Sequence, residues 1–599
     1  MAESLFLVTI GPVQEFIVAA RRTRDLWFGS WLLSELSREA SQAITAADAG
    51  ARLIFPAPET ITNQSPELAN VANKILAAVN IDPQLLGQQV EAAVRAHLAQ
   101  LMVDAFDKGR IDWSDNAAGR VVAEQQVAEL LEIYWAGVPL PPGQYAYARR
   151  QIEAVIAARK STRDFGAAQW AAAVPKSSID GQRDSVIPES RYPSRNDPER
   201  SLRIDKLYQQ YRAGPAERLS GVDLLKRHGQ PRGQPFFPST ADIAARPLLR
   251  RLASQPGAKH AWDDYIRELE RIGADLRDEV VQRSHPVIER YDGGLLFESR
   301  LGELFDDAPR QRQAAQALAA FLRAVDSPAP QPYYAILQAD GDRMGATLDA
   351  QVAQADHELL SERLSTFAAQ ALQIVSGHDG ALVYAGGDDV LALLPLDTAL
   401  DCARKLHAAF AEAVNPTGKQ AFVDRDRRSP TLSAGIAICH QIEPLNDALR
   451  LARDAEHKAK DVDGKDALAI VLSKRSGADV LVVDKWGQLD ERLAEYTACH
   501  LADELPDGAA FQLRDLAQRL AVGSDAARIA ALGSAAQAEA IRILGRKQRQ
   551  RGTEKIKDPQ RDGLVKRLEP SIASIRGAAD ELIVARLLAE ATRLAAGKE

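Results

Sequence analysis

The sequence predicts an α/β chain, more closely α+β, and three observations lead there. Short apolar runs of strand length alternate with amphipathic helical patterns between residues 333 and 472; a strand-helix-strand alternation opens the chain; most of the remainder has helical period. With 599 residues and roughly 150 per domain, about four domains are expected.

Taken in order, Leu5 to Ile10 is an apolar run stopped by Gly11 and Pro12, and therefore a strand. An amphipathic helix follows, ending near Ala43, and a second strand, Arg52 to Phe55, runs into the break at Pro56 to Pro58. Helical patterns fill 66–136, Pro139 to Gly143 interrupts the chain, and 175–196 is loop-rich and basic. Residues 215–325 read as helices with polar loops. Then come strand Tyr333 to Gln338, a helical stretch from Ala346 to Val375, strand Ala381 to Ala385, the turn Gly386-Gly387-Asp388-Asp389 and strand Val390 to Leu394. Helix Thr398 to Val414, strand Leu432 to Ile438, helix Leu445 to Lys460 and strand Leu468 to Leu472 complete the series. That succession is a ferredoxin-like palm with an extra strand. The opening strand-helix-strand reads as a diverged copy of the same start. A short strand, Val480 to Val483, precedes an almost entirely helical tail, 485–599. The expected division is a first palm with a helical insertion over 1–214, a helical linker over 215–330, a second palm over 331–478 and a helical domain over 479–599.

The chain is 46% hydrophobic and 26% charged, enough to bury large cores and too apolar for wholesale disorder. No apolar run approaches the ~18 residues of a membrane span, and no basic segment precedes the short apolar run at the N-terminus. A cytoplasmic protein without membrane contact is expected. Cys402, Cys439 and Cys499 are too few and too scattered for a disulfide framework or a zinc knuckle, and read as small buried hydrophobes. The net charge of -8 gives no sign of a free-standing nucleic-acid binder. It hides local excesses: Ile541 to Arg567 holds ten Lys or Arg against three acids, which marks Arg546, Lys547, Arg549 and Arg551 for RNA or a partner subunit.

The chemistry concentrates in carboxylates. Alone, Gly386-Gly387-Asp388-Asp389 is a two-residue hairpin with solvated aspartates. However, the strand Tyr333 to Gln338 runs into Ala339-Asp340-Gly341-Asp342-Arg343-Met344-Gly345, and in a palm that strand neighbours the hairpin. Asp340 and Asp388 then converge, and hard oxygen ligands at one point suit Mg²⁺ or Mn²⁺ shared with substrate phosphates. The Gly341 to Gly345 turn has the freedom to wrap phosphates at a helix start. The reaction expected is attack of a ribose 3′-hydroxyl on an α-phosphate with loss of pyrophosphate, aided by Lys460 at the leaving phosphates. His378-Asp379, immediately before a palm strand, reads as a turn and not as a phosphohydrolase motif.

Tyr384 to Ala392 (YAGGDDVLA) with Gln338 to Gly345 (QADGDRMG) resembles the cyclase-type palm in the large subunit of CRISPR type III effector complexes, best its III-B, or Cmr, branch. Gly11 to Ile17 (GPVQEFI), Ala20 to Leu33 (ARRTRDLWFGSWLL), Pro175 to Val186 (PKSSIDGQRDSV), Leu224 to His228 (LLKRH) and Ser433 to Ile436 (SAGI) agree with it. The resemblance implies two facing palms, a helical domain between them, and a helical C-terminal domain that docks on small subunits. It implies that the second palm converts ATP to cyclic oligoadenylate when guide RNA captures target RNA, and it relates that palm to GGDEF cyclases. Asp340 and Asp388 would be metal ligands, and Asp389 a ligand or an aid to deprotonation. Gly341, Asp342, Arg343, Gly345, Gly386, Gly387 and Ser433 would surround the nucleotide, and Lys458-Ala459-Lys460 matches a cyclase element that brings Lys460 to it.

Two departures from the family pattern stand out. The chain starts at the first palm without an HD nuclease domain, and 215–325 has no cysteine for the zinc many members carry, so DNase activity is expected absent and that domain held by packing alone. The first palm has Gly11-Pro12 where the second has Asp340, so it is expected to be catalytically degenerate and to hold the acceptor nucleotide. The alternatives are adenylyl transfer to another acceptor such as S-adenosylmethionine on the same site, and a catalytically silent scaffold.

Overall fold

The computed structural model describes residues 3–62, 71–108, 111–162, 174–230, 236–276, 279–281, 285–305, 307–475, 477–506, 508–521, 526–546, 550–551, 554–555 and 559–597. A first sheet is built from β1 (Ser4–Gly11), β2 (Arg52–Phe55), β3 (Lys74–Val79) and β4 (Glu132–Pro139) in the order β2-β3-β1-β4, every pair antiparallel. Helix Thr23–Ala47 joins β1 to β2 and helix Pro83–Val103 joins β3 to β4, which makes a complete βαββαβ unit. This corrects the expectation that 66–136 is helical. β3, in the sheet interior, is buried at five of its six positions, so its sequence KILAAV shows no alternation and its alanines imitate a helix.

The second sheet repeats that connectivity and extends it. It comprises β5 (Tyr333–Asp342), β6 (Ala381–Gly386), β7 (Asp389–Leu394), β8 (Thr431–His440), β9 (Ala467–Leu472) and β10 (Val480–Lys485), ordered β10-β9-β8-β5-β7-β6. The stretch β8-β5-β7-β6 is the βαββαβ order seen in the first sheet; β9 adds parallel to β8 through helix Leu445–Lys460, and β10 returns antiparallel. β5 is four residues longer than expected, because Ala339 to Asp342 keep pairing with β8.

Alternate residues of this sheet serve two cores. Tyr334 and Ile336 of β5, Leu391 and Leu393 of β7, and Ala437 and Cys439 of β8 pack into one core with helix Leu445–Lys460, the first sheet's helices and those between 221 and 324. Ala335, Leu337, Ala392, Leu394, Ile436 and Ile438 face the other, with helices Gln354–Gly377, Ala399–Val414, Leu489–Leu501, Ala509–Ala521 and Ile572–Ala596. By the period of two, Asp340, Asp342, Asp389 and Ser433 continue the first set, on the side of helix Leu445–Lys460. Helix Tyr145–Ser161 covers the outer face of the first sheet through Ile152 and Ile156.

Helix Gln354–Gly377 meets helices Tyr145–Ser161 and Pro58–Thr62 of the N-terminal part directly. Tyr145 Oη lies 2.7 Å from His357 Nδ1, and Thr60 Oγ1 donates to Ser365 Oγ at 3.0 Å. Cys402, Cys439 and Cys499 are buried and free. No described helix is long and apolar enough to cross a membrane.

Candidate metal and nucleotide site

The site grows from one hairpin and one strand end. Gly386 pairs with Asp389, so Gly387 and Asp388 form the two-residue turn, and the φ of 78° at Gly387 requires glycine. Beside it, a Cβ on Gly341 would lie 2.7 Å from Asp388 Cβ, so a glycine is what allows the Asp388 side chain to rest on β5. One carboxylate oxygen from each of Asp340, Asp388 and Asp389 lies within 4.8 Å of the other two.

Helix Leu445–Lys460 forms the remaining wall. A Cβ on Gly435 of β8 would sit 2.1 Å from the backbone nitrogen of Glu456, so helix and strand touch backbone to backbone. That contact brings Glu456, 3% exposed, and Lys460 to the carboxylates. Lys460 Nζ is paired with Asp340 and lies 3.0 Å from Glu456 Oε1.

Negative charge is crowded here. Burial raises the Asp388 carboxyl above the ordinary range; burial, then Asp388 and Glu456, raise Asp389 further. Glu456 is pushed up to about 7 by burial and by Asp342, and the Lys460 ammonium is held down to about 8 by burial and by Lys465. Three clustered hard-oxygen donors, two of which resist ionisation through burial, fit Mg²⁺ or Mn²⁺.

Two matches of family models fall on this architecture. The model described as Cas10/Cmr2, second palm domain, matches residues 333–469, which contain the whole carboxylate site, and that for the CRISPR-associated protein Cmr2, N-terminal, matches 5–103. Residues 333–469 and 5–103 are thus similar to domains of the Cas10/Cmr2 family. The CRISPR system Cmr subunit Cmr2 of Pyrococcus furiosus is 25% identical over 578 residues, covering 81% of this chain; the chain spans 63% of that relative's length. The Cmr2 subunit of Saccharolobus solfataricus is 40% identical over 60 residues, 10% of this chain and 6% of the relative. A chain of the type III-B Cmr-beta complex in its apo state superposes with a TM-score of 0.63 at 13% identity, covering 99% of this chain and 82% of that one. In the complex bound to cognate target RNA the TM-score is 0.59 at 13% identity, covering 93% and 80%. These two likenesses concern the fold.

Within this palm, Asp340, Asp388, Asp389, Gly341, Gly386, Gly387 and Lys460 come together. Asp342 and Ser433, expected at the nucleotide, are fully buried beneath this face: Asp342 acts on Glu456, and Asp342 Oδ2 accepts from Ser433 Oγ and Thr431 Oγ1 at 2.8 Å and from the Asp466 amide at 3.1 Å. The reason is the longer β5, which carries Asp342 into the ladder and turns it against β8. Arg343, left-handed with φ 62°, donates to the Gly464 carbonyl at 2.7 Å, and Gly345 is exposed in the short helix Met344–Ala350. His378 caps its helix, Nδ1 2.6 Å from the Ile374 carbonyl and Nε2 2.9 Å from Asp401 Oδ2, while Asp379 accepts from Arg250 at 2.8 Å. In the basic segment, Arg546 donates to Gln512 at 2.6 Å, Arg551 falls in the short strand Gln550–Arg551, and Lys547 and Arg549 lie outside the described residues. Glu456 escaped the sequence reading, because four residues before a lysine a helical glutamate reads as half of a solvated pair.

Proposed function

We propose that the chain is the large subunit of a Cmr-type RNA-guided complex and that its second palm is a nucleotidyltransferase converting ATP to cyclic oligoadenylate once guide RNA has paired with target RNA. The observation that carries this reading is the meeting of Asp340, Asp388 and Asp389 within 4.8 Å at a glycine hairpin, with Lys460 beside them. Mg²⁺ or Mn²⁺ held by the three aspartates would neutralise charge at the phosphates. In each step the 3′-oxygen of one nucleotide would bond to the α-phosphorus of the next, the bond to pyrophosphate would break, and Asp389, as ligand or as base, would help remove the hydroxyl proton. Lys460 offsets charge on the departing pyrophosphate. The first palm, with Gly11-Pro12 at the end of β1, supplies no carboxylate there and would orient the acceptor. The four-part division at 214, 330 and 478 and the contact of the 541–567 segment with RNA or a partner belong to the same reading.

The test is product identification by mass spectrometry, using the chain assembled with Cmr-type subunits and guide RNA, with ATP and Mg²⁺, with and without target RNA. Target-dependent cyclic oligoadenylate is expected, and its loss in Asp388→Ala/Asp389→Ala without loss of assembly. Adenylylated S-adenosylmethionine in a parallel reaction, or undiminished product from the double variant, would overturn the assignment.

A further inference from the structure

We propose that Glu456 is a positioning residue of the nucleotide site, holding the Lys460 ammonium beside Asp340 where the phosphates of a bound nucleoside triphosphate arrive. This rests on the nucleotide reading above and adds a residue to it.

The argument is geometric. Glu456 and Lys460 stand one turn apart on one helix face, with Oε1 and Nζ 3.0 Å apart. At 3% exposure the Glu456 carboxylate is out of water, and a buried carboxylate is costly unless a cation or donors meet it. Lys460 is the near cation; His457 Nε2, on an exposed ring, stands 3.6 Å from Oε2. The Glu456 backbone is pressed on Gly435, which fixes the point from which its side chain reaches Lys460. Lysine has a flexible four-carbon stem, so an ammonium is placed only by what holds its end. Asp340 also holds it, but Asp340 is one of the three residues that share a divalent cation in the proposed chemistry. Glu456 lies outside that triad and keeps its hold when Asp340 is engaged.

The experiment uses the full chain with Glu456→Gln, Glu456→Asp, Lys460→Met and the Gln/Met double variant. Calorimetric titration with a non-hydrolysable ATP analogue plus Mg²⁺, and with adenosine, reads binding without turnover, and a melting curve accompanies each variant. Glu456→Gln is expected to weaken the analogue about tenfold and adenosine less than about twofold, since a charge-assisted hydrogen bond to phosphate depends on the ammonium's place. Glu456→Asp should retain part of the affinity, and the double variant should bind no worse than Lys460→Met alone. Wild-type affinity in Glu456→Gln, equal losses for analogue and adenosine, or losses that add in full would overturn the inference and leave the nucleotide site standing. If wild type itself fails to bind the analogue, the nucleotide reading falls and takes this one with it. Should Glu456→Gln not fold, Glu456→Asp decides by the same criteria.

Discussion

Asp388 and Asp389 sit in a place that resists their ionisation, and this ties stability, metal and pH together. Their folded carboxyls titrate above the ordinary range near 4, Asp389 up to about 8, so between those values the folded chain holds protons that the unfolded chain has released. The contribution is favourable below about pH 4 and is lost as pH rises toward about 8; a divalent cation bound there would replace the protons. Millimolar Mg²⁺ should therefore raise the unfolding temperature more at pH 8 than at pH 6. Asp389→Asn should raise the metal-free midpoint at pH 8 by about 2 °C and remove most of the magnesium increment. Scanning fluorimetry across pH checks both, and a magnesium effect equal at both pH values would contradict the assignment of these groups. At this scale the sequence was most readable where residue type alone carries meaning, as in the paired glycines and aspartates of the turn. It was least readable at Asp342, which differs from Asp340 only in being further along a strand whose end the Gly341 signal placed too early.

The closest approach between elements at the site is that of helix Leu445–Lys460 and β8. Gly435→Ala drives a Cβ to 2.1 Å from the Glu456 backbone nitrogen, and nothing flexible there can yield. A loss of about 3 kcal/mol in stability is expected, together with loss of analogue binding, because the helix that carries Glu456 and Lys460 must lift away. Gly345→Ala is the contrast: nothing lies within 4 Å, the residue is helical and exposed, and the change should be neutral or stabilising by up to about 1 kcal/mol. Urea unfolding of the two variants separates these outcomes. Long amphipathic helices and the hairpin were legible because their periods are local. β3 was not, since burial on both faces erases alternation, and neither was Glu456, whose burial comes from a backbone contact between residues 435 and 456 that no local pattern announces.

Across the whole molecule, stretches of the chain outside the second palm, among them Ala20 to Leu33, Pro175 to Val186 and Leu224 to His228, meet through buried polar contacts. Arg227, 1% exposed, donates to Asp25 at 2.8 Å and to Glu217 at 3.1 Å; Lys226 is bound by the Ala19 carbonyl at 2.8 Å; Asp223 accepts from Ser177 and Ser220 at 2.7 Å. These contacts join segments near residues 20, 177 and 225. Burial alone would raise Glu217, but Arg227 and Arg22 hold it down to about 2, so its contribution is present above about pH 4.5 and is lost as pH falls toward 2. Arg227→Met strands Asp25 and Glu217 in the interior and should cost about 3–5 kcal/mol, moving the acid unfolding midpoint upward. A pH titration of circular dichroism reads that shift, and an unchanged acid limb would show the network to be incidental.

The second sheet is a party wall between two cores, with alternate residues of β5, β7 and β8 committed to opposite sides. Dividing the gene near residue 330 would leave the N-terminal product with a bare apolar face and strip the C-terminal product's sheet on one side. Neither product would keep a closed interior, and the aggregation hazard of such fragments follows from this double use of the sheet's strands.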